Sequence, residues 1–527
     1  MTLSSAGPPL VPQLRRRGRI IPGERIPGQR ITTWDHAIPP VLRPLLRAYL
    51  FGYASTVAPR LLTLVFQRLV AKRGRKSRDA AATSTRTSLS NGAAVEHQDQ
   101  QPPQQHQPFL VALRHILRSG LDWQRFPTFC AALAGGSTLL EIPLKAALDR
   151  LTEKLSELAR KRLSRWFASF IAAWLSLQLL QSKQTAGFSE VIENNSSPGA
   201  KKTVHYAGRT LDLSLFAVTR ALDVIGGELW SRRKASRLAR GKKQTVLESA
   251  VSDLADPAIF ALSSGLVMWT WFYFPERLPR AYNKWICSAA SVDPRLIEAL
   301  ARFRNRTLLY GKDTGQAHLL GSMCEEYRWP VEWGDPAKSV PFPCEVVHMG
   351  CGPSCEYHAL SRFVRSFRWS MAMYLPLNLL LVVRNPNEKG LIRALVSAAR
   401  SSAFLGAFIT LFYYGVCLTR TRVGPHILGK HTAARQAIDG GLCVGAGCLL
   451  CGWSILIEVA GRRKDMALFV APRALATLLP RRYALDKQWR ENLAFAFSTA
   501  VVFTCVLENQ NRVRGVLGKV LGKVLEY

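Results

Sequence analysis

Acidic residues and recognisable enzyme motifs are both scarce in this sequence of 527 residues. The chain has 36 Asp and Glu against 71 Lys and Arg, which gives a formal net charge of +35. The motifs G-x-x-x-x-G-K-[ST], H-E-x-x-H and G-x-S-x-G do not occur, although they mark the nucleotide, zinc-protease and serine-hydrolase sites that a sequence reveals most directly. Nothing in the sequence argues for an enzyme, and we expect a non-enzymatic protein.

An apolar N-terminal leader is also lacking. Residues 1–39 form a basic tail rich in Arg and Pro, without the apolar core of a secretory signal peptide. We therefore expect an intracellular membrane, with reduced thiols for the eleven cysteines. An Arg-rich, acid-poor start is also typical of a mitochondrial presequence, but the prolines would weaken the amphipathic helix that such a presequence forms.

The charge of the chain is basic enough for nucleic acid, but its composition is not polar enough. Hydrophobic residues make up 48% of the chain, whereas a soluble nucleic-acid-binding protein with this charge is usually much more polar. Basic loops beside long apolar runs are typical of membrane proteins that face anionic lipid. We expect membrane lipids as partners and no nucleic acid; the sequence is compatible with a homo-oligomer.

Ten mostly apolar segments have lengths near the roughly 17 to 25 residues that a membrane-spanning helix needs. They predict an all-α fold, a polytopic membrane bundle of helices. The segments begin near Leu46, Phe126, Trp166, Leu211, Asp256, Trp369, Ser401, Gly440, Met466 and Asn492.

The two halves of the chain resemble each other. "LFAVTRAL" at 215–222 is repeated as "LFVAPRAL" at 468–475, each in the fourth apolar segment of its half. Such internal duplication is common in transport-related membrane proteins. We predict two similar units of about five apolar segments, the first at 40–285 and the second at 359–508.

Polar stretches separate and extend these units. A low-complexity insert at 71–107 has too few large apolar residues to fold, so it is predicted to be disordered. A polar connector covers 286–343, and a Cys/His-rich element covers 344–358. Residues 509–527 alternate apolar and basic positions at helical spacing, which predicts a basic amphipathic helix suited to an anionic membrane surface.

The Cys/His-rich element contains four potential metal ligands. Cys344, His348, Cys351 and Cys355 have the spacing C-x3-H-x2-C-x3-C. Thiolate and imidazole groups are good zinc ligands, and four within twelve residues can close one tetrahedral structural site. The alternatives are a labile disulfide, or unpaired thiols that cap the following helix.

Two arginines lie inside apolar segments, at equivalent places in the repeat. Arg220 and Arg473 both follow the "LF" of the repeated motif. Because an arginine in the bilayer is costly unless it is paired or hydrated, the two are candidates for an intramembrane polar seam that binds an anionic group. The alternative is that each side chain reaches the membrane surface.

Small residues at helical spacing predict close helix packing. Gly441 and Gly445 form a G-x-x-x-G motif, and Ser402 and Gly406 have the same separation. Without bulky side chains, helix backbones can approach closely in lipid.

The element and the segment after it resemble the transmembrane protein 135 family, convincingly over about 250–527 and faintly over 40–250. The matching positions are Cys344, Cys351, Cys355, Phe363, Tyr374, Leu375 and Pro376. The resemblance implies a multi-pass protein of peroxisomal or mitochondrial membranes with a role in organelle dynamics or lipid metabolism. It also implies a distant relation to mitochondrial inner-membrane translocase subunits and a peroxisomal membrane protein.

Two other functions stay open. One is a lipid or metabolite transporter, with its site between the two units near Arg220 and Arg473. The other is a zinc- or thiol-dependent membrane enzyme centred on Cys344–Cys355.

Overall fold

A computed structural model describes residues 38–82, 109–193, 201–383 and 386–526, apart from positions 153, 242 and 244. The described part is predominantly helical, as the apolar segments predict. The helices are α1 Arg43–Ala82, α2 Phe109–Gly120, α3 Phe126–Leu151, α4 Glu157–Gln181, α5 Leu211–Ala239, α6 Val246–Tyr273, α7 Arg280–Ala290, α8 Pro294–Arg304, α9 His318–Glu326, α10 Cys344–His348, α11 Cys355–Val382, α12 Glu388–Leu418, α13 Gly424–Leu428, α14 Thr432–Ala437, α15 Cys443–Cys451, α16 Ala460–Thr477, α17 Gln488–Glu508 and α18 Val516–Leu525.

A hairpin and two π-helical segments accompany the α-helices, and one α-helix extends into a stretch predicted to be disordered. Strands β1 Ser189–Glu193 and β2 Lys201–His205 form an antiparallel hairpin between α4 and α5. Short π-helical segments at Thr419–Val423 and Ile438–Leu442 continue α12 and α14. Helix α1 also includes residues 71–82 of the insert predicted to be disordered. The rest of that insert and residues 1–37 of the basic tail lie outside the described residues.

Five helical stretches are long and apolar enough to cross a membrane, which agrees with the prediction of a membrane protein. The other five predicted segments also fold as helices, α1, α3, α5, α11 and α16, but they are not among these five stretches. The five stretches are Glu157–Gln181, Val246–Tyr273, Glu388–Leu428, Thr432–Ile457 and Leu485–Glu508.

The long helices contact one another in an order that differs from their order in the chain. Successive neighbours are α1, α3, α4, α17, α5, α16, α6, α15, α12 and α11. Helix α17, from the second half of the chain, therefore lies between α4 and α5. Helix α6, from the first half, lies between α15 and α16, so each half contributes one helix to the other.

Glycines allow the backbone of α15 to touch its two neighbours. A methyl group at Gly447 would lie 2.7 Å from the carbonyl oxygen of Phe412 in α12. A methyl group at Gly265 of α6 would lie 2.8 Å from the carbonyl oxygen of Cys448. Real Cβ atoms essentially never approach a neighbouring atom this closely, so only glycine permits these two helix contacts.

The predicted G-x-x-x-G motif is not where this close approach occurs. Gly441 has φ 148° and lies in the π-helical segment, where a methyl group would meet the guanidinium of Arg304. At Gly445 a methyl group would be 3.6 Å from Trp269, an ordinary contact. Of the two glycines only Gly445 lies in α15, and the glycine that meets the backbone of α12 is two residues later, Gly447.

The second predicted pair does lie between helices. A methyl group at Gly406 of α12 would be 3.2 Å from the ring of Phe363 in α11. Ser402 is fully buried, and its hydroxyl lies 3.7 Å from the sulfur of Met371, also in α11. Ser402 and Gly406 therefore lie where α12 packs against α11.

Helix α18, Val516–Leu525, covers only the C-terminal part of the stretch predicted as an amphipathic helix at 509–527, and its apolar side packs against protein. Val524 and Leu525 are buried in a cluster that includes Phe503 of α17 and Ala48 of α1. Arg47 of α1 donates hydrogen bonds to the carbonyl oxygens of Lys523, at 2.9 Å, and Glu526, at 2.7 Å. Those apolar residues are thus used within the fold and not on a lipid surface.

The α15 contacts generate a test of packing in one helix. We expect Gly447→Ala to lower the free energy of unfolding by about 1–2 kcal/mol, because overpacking costs about 1–3 kcal/mol and alanine returns at most about 1 kcal/mol of helix propensity. Gly445→Ala is the matched control and should be neutral or slightly stabilising. The measurement is reversible unfolding of the two variants in detergent. Equal effects of both substitutions would contradict the assignment of the contact.

Candidate metal centre

The chain around α10 folds back so that residues of the Cys/His-rich element meet. Cys344 and His348 are four residues apart in α10 and therefore share one helix face. Met349, with φ 51°, and Gly350 and Gly352, with φ 86° and 79°, then reverse the direction of the chain. Helix α11 begins soon afterwards, at Cys355.

Three of the four predicted ligands converge. The potential donor atoms of Cys344, His348 and Cys355 all lie within 4.8 Å of one another. Cys351 is not part of this group; its sulfur lies 3.4 Å from the hydroxyl of Ser361. The tight turn before α11 places Cys351 beside that helix. Cys351 is therefore close to Cys344 in the sequence but is not part of the converging group in the fold.

A cysteine from a distant helix joins the three. Cys417 lies at the end of α12, and its sulfur is 3.3 Å from Nε2 of His348. Cys355 lies within hydrogen-bonding reach of both Cys344 and Cys417. Cys417 and His348 are buried, whereas Cys344 is partly exposed. We refer to Cys344, His348, Cys355 and Cys417 as the four-residue cluster.

The protonation of His348 follows from its neighbours. Its Nδ1 lies 2.7 Å from the carbonyl oxygen of Gly352, and a carbonyl can only accept, so Nδ1 carries the hydrogen. Burial lowers the pKa of His348 below its ordinary value, and the nearby Arg420 lowers it further. Burial also raises the pKa of the Cys344 thiol. The ring is thus neutral, with the lone pair of Nε2 directed at the cluster.

A second histidine stacks on the first. The rings of His348 and His358 are 4.4 Å apart and nearly parallel. His358 is fully buried, and neither of its ring nitrogens has a hydrogen-bond partner in the described residues. Burial, together with His348 and the arginines nearby, lowers the pKa of His358 to about 3. The ring of His358 is therefore neutral and packs on that of His348, and its nitrogens are not among the donor atoms that converge.

A buried positive charge lies beside these histidines. Arg362 is 2% exposed and lies in α11, four residues after His358. Its guanidinium donates to the carbonyl oxygens of Ala290 and Ser291 and covers the ring of Tyr413 at 4.5 Å. Within the described residues it has no carboxylate partner, so its charge is not balanced by an acidic side chain.

A second buried arginine does have a carboxylate partner. Arg420 binds Asp439 through two hydrogen bonds of 2.6 and 3.0 Å, and both side chains are almost fully buried. The hydroxyl of Tyr310 donates to the same carboxylate at 2.5 Å. Arg420 and Asp439 lie in the two π-helical segments, and Tyr310 belongs to the predicted connector. Arg420, Asp439 and Tyr310 therefore join three parts of the chain in the interior.

The two arginines predicted to form a polar seam have separate partners. Arg220 is buried and donates to the carbonyl oxygen of Arg514, while Asp465 and Asp223 act on it electrostatically. Arg473 bonds the carbonyl oxygen of Phe469 and lies over that ring. Helices α5 and α16 contact each other, but no shared partner joins the two guanidiniums in the described part of the chain.

Sequence reasoning missed Cys417, Arg362 and the Arg420–Asp439 pair. Cys417 is 62 positions after Cys355 and lies in an apolar run, where cysteine usually packs as a small hydrophobic residue. For the ion pair, the sequence does contain a signal: Arg420 and Asp439 are charged residues at the ends of apolar segments, where a charge usually needs a partner. For Cys417 we find no such signal.

The buried pair generates a stability prediction. We expect Asp439→Ala to lower the free energy of unfolding by about 3–5 kcal/mol, because the Arg420 charge stays buried without its partner. Glu356→Ala, which removes an ion pair between the exposed Glu356 and Arg422, is the control and should change little. Thermal unfolding of both variants in detergent measures the difference. Similar stabilities would show that the Arg420 charge is balanced by another group.

Comparison of the chain with protein-family models, curated proteins and solved structures gives no match.

Proposed function

We propose that this chain is a non-enzymatic, multi-pass integral protein of a peroxisomal or mitochondrial membrane, with a role in organelle dynamics or organelle lipid metabolism. The observation that carries the membrane assignment is the set of five helices long and apolar enough to span a bilayer. The organelle and the role follow from the resemblance of residues 344–376 to the transmembrane protein 135 family. The basic charge of +35 also suits anionic lipid surfaces.

We also propose that two five-helix units build the fold. The order of contacts supports this, because it reads as two equivalent series, α1, α3, α4, α17, α5 and α11, α12, α15, α6, α16. In each series the fourth helix, α17 or α6, comes from the other half of the chain. The repeated motif has the same local geometry twice: Arg220 covers the ring of Phe216, and Arg473 covers that of Phe469, each four residues earlier.

The zinc- or thiol-enzyme alternative is the less favoured one. Catalytic zinc has three protein ligands and an open fourth position, whereas structural zinc is closed by four. The four-residue cluster offers four donors, and three of them are buried. A closed site of this kind leaves no position for a substrate.

A lipid conduit is the second candidate function, and one pocket favours it. A cavity of about 310 Å³ is lined by three arginines together with apolar side chains and one serine. Guanidinium groups bind phosphate through paired hydrogen bonds, and apolar walls suit acyl chains. We propose an anionic phospholipid headgroup as the ligand. The lining residues are Ile392, Arg393, Val396, Ser397, Arg400, Val459 and Arg462.

The membrane assignment predicts how the protein fractionates and where it is found. We expect the tagged full-length chain to stay in the pellet after alkaline carbonate extraction and to enter solution with detergent. In cells it should co-localise with a peroxisomal or mitochondrial marker. Recovery in the carbonate supernatant would refute the membrane assignment, whereas an endoplasmic reticulum or plasma-membrane pattern would refute the organelle assignment alone.

The arginine-lined pocket predicts selective lipid binding. Arg393→Gln with Arg400→Gln should reduce the phosphatidylserine that stays bound to the purified protein several-fold, with little change for phosphatidylcholine. Native mass spectrometry of the detergent-solubilised protein measures both lipids. Lys312→Gln with Lys338→Gln removes the same charge from exposed positions of the connector and is the control. Equal losses in the two double variants would indicate a non-specific charge effect and contradict the pocket.

A further inference from the structure

We propose that Cys344, His348, Cys355 and Cys417 bind one Zn²⁺ ion, which joins the Cys/His-rich element to the end of α12. This inference is independent of the organelle role proposed above. It replaces Cys351 with Cys417 in the ligand set expected from spacing. The resulting site has three thiolates and one imidazole, a combination found in structural zinc sites.

The separations between the donors are close to those of a tetrahedral site. With Zn–S near 2.3 Å and Zn–N near 2.0 Å, ligand atoms around one zinc are about 3.5–3.8 Å apart. The observed 3.3 Å between Nε2 of His348 and the sulfur of Cys417 is within a few tenths of an ångström of that range. The potential ligand atoms of Cys344, His348 and Cys355 lie within 4.8 Å of one another. Small side-chain rotations would bring them to bonding distance from one zinc ion.

The surroundings of His348 resemble those of a metal ligand. Histidines that bind metal usually donate their second ring N–H to a carbonyl or carboxylate, which fixes the tautomer and the ring orientation. Nδ1 of His348 makes this bond to Gly352 at 2.7 Å, and the loop that supplies the carbonyl is the one that turns Cys355 toward α10. The turn thus orients both His348, through the Gly352 carbonyl, and Cys355, through the direction of the chain.

The charge of a zinc-bound cluster also explains the unpaired arginine. Three thiolates and one Zn²⁺ carry a net charge of −1, because neutral His348 adds nothing. Arg362 is buried and has no carboxylate partner in the described residues, and it acts electrostatically on His348. A buried charge without a counter-charge is costly. A zinc–thiolate cluster supplies the missing negative charge, whereas three neutral thiols would not.

The ligand set spans two parts of the fold. Cys344, His348 and Cys355 belong to the element that precedes the second unit, and Cys417 ends α12 just before the π-helical segment that contains Arg420. An ion held by all four fixes α10 and the start of α11 against the end of α12. Zinc would thus act as a structural cross-link and not as a reaction centre.

Metal analysis of the purified full-length protein in detergent tests the ligand set. We expect one zinc per chain in the native protein and in Cys351→Ser, and a loss of most of the zinc in Cys344→Ser and Cys417→Ser. Loading with Co²⁺ should give the visible absorption of a tetrahedral thiolate site in the first two proteins only. Loss of zinc from Cys351→Ser with retention in Cys417→Ser would overturn the assignment of Cys417.

Thiol alkylation of the native protein tests the same claim without a variant that could misfold. Cys351 should react with maleimide before chelation, whereas Cys344, Cys355 and Cys417 should react only after zinc is removed. Mass spectrometry of the digested protein reads each site. A folded protein without metal would overturn the proposal, and so would a disulfide between Cys355 and Cys417 in the protein as purified, or equal labelling of all four thiols with and without chelator.

Discussion

The arrangement of the second half of the molecule depends on how closely α15 can approach α12 and α6. Lipid provides little hydrophobic drive between helices, so association relies on close packing and on buried polar contacts. Gly447 and Gly265 let backbone atoms meet where any side chain would separate the helices. This approach brings the two π-helical segments together, and the Arg420–Asp439 pair forms between them. The ion pair is thus a consequence of the backbone contact.

The exchange of α6 and α17 makes the two halves interdependent. Helix α17 contacts α4 and α5, and α6 contacts α15 and α16. Phe495 of α17 is buried against Phe129 and Leu177, both from the first half of the chain. Phe260 of α6 is buried with Phe404 of α12 in the corresponding way. Neither half would bury these aromatic side chains alone, which explains why the described residues from Pro40 onward form one compact unit.

The helices could be predicted from the sequence far better than the candidate site. Length and apolar content are local properties, so each of the ten apolar segments was placed in a helix correctly. Which residues meet is not local. Spacing in the chain favours Cys351 because it is near Cys344, but a turn with three left-handed residues directs it away. The two glycines of the G-x-x-x-G motif do not share one regular helix for a similar reason, since Gly441 lies in a π-helical segment where regular helical spacing does not hold.

The two buried arginines near the cluster differ in how their charge is balanced. Arg420 has a carboxylate, and its charge is neutralised by Asp439 with support from Tyr310. Among the described residues, Arg362 contacts carbonyl oxygens, the sulfur of Met349 and the face of Tyr413, which stabilise a cation less than a full negative charge does. Both arginines lower the pKa of His348. An excess of positive charge around four potential ligands favours their anionic, metal-bound form over neutral thiols, because only that form completes the balance in the interior. The Cys/His-rich element, the arginines and the end of α12 are therefore best understood as one electrostatic unit.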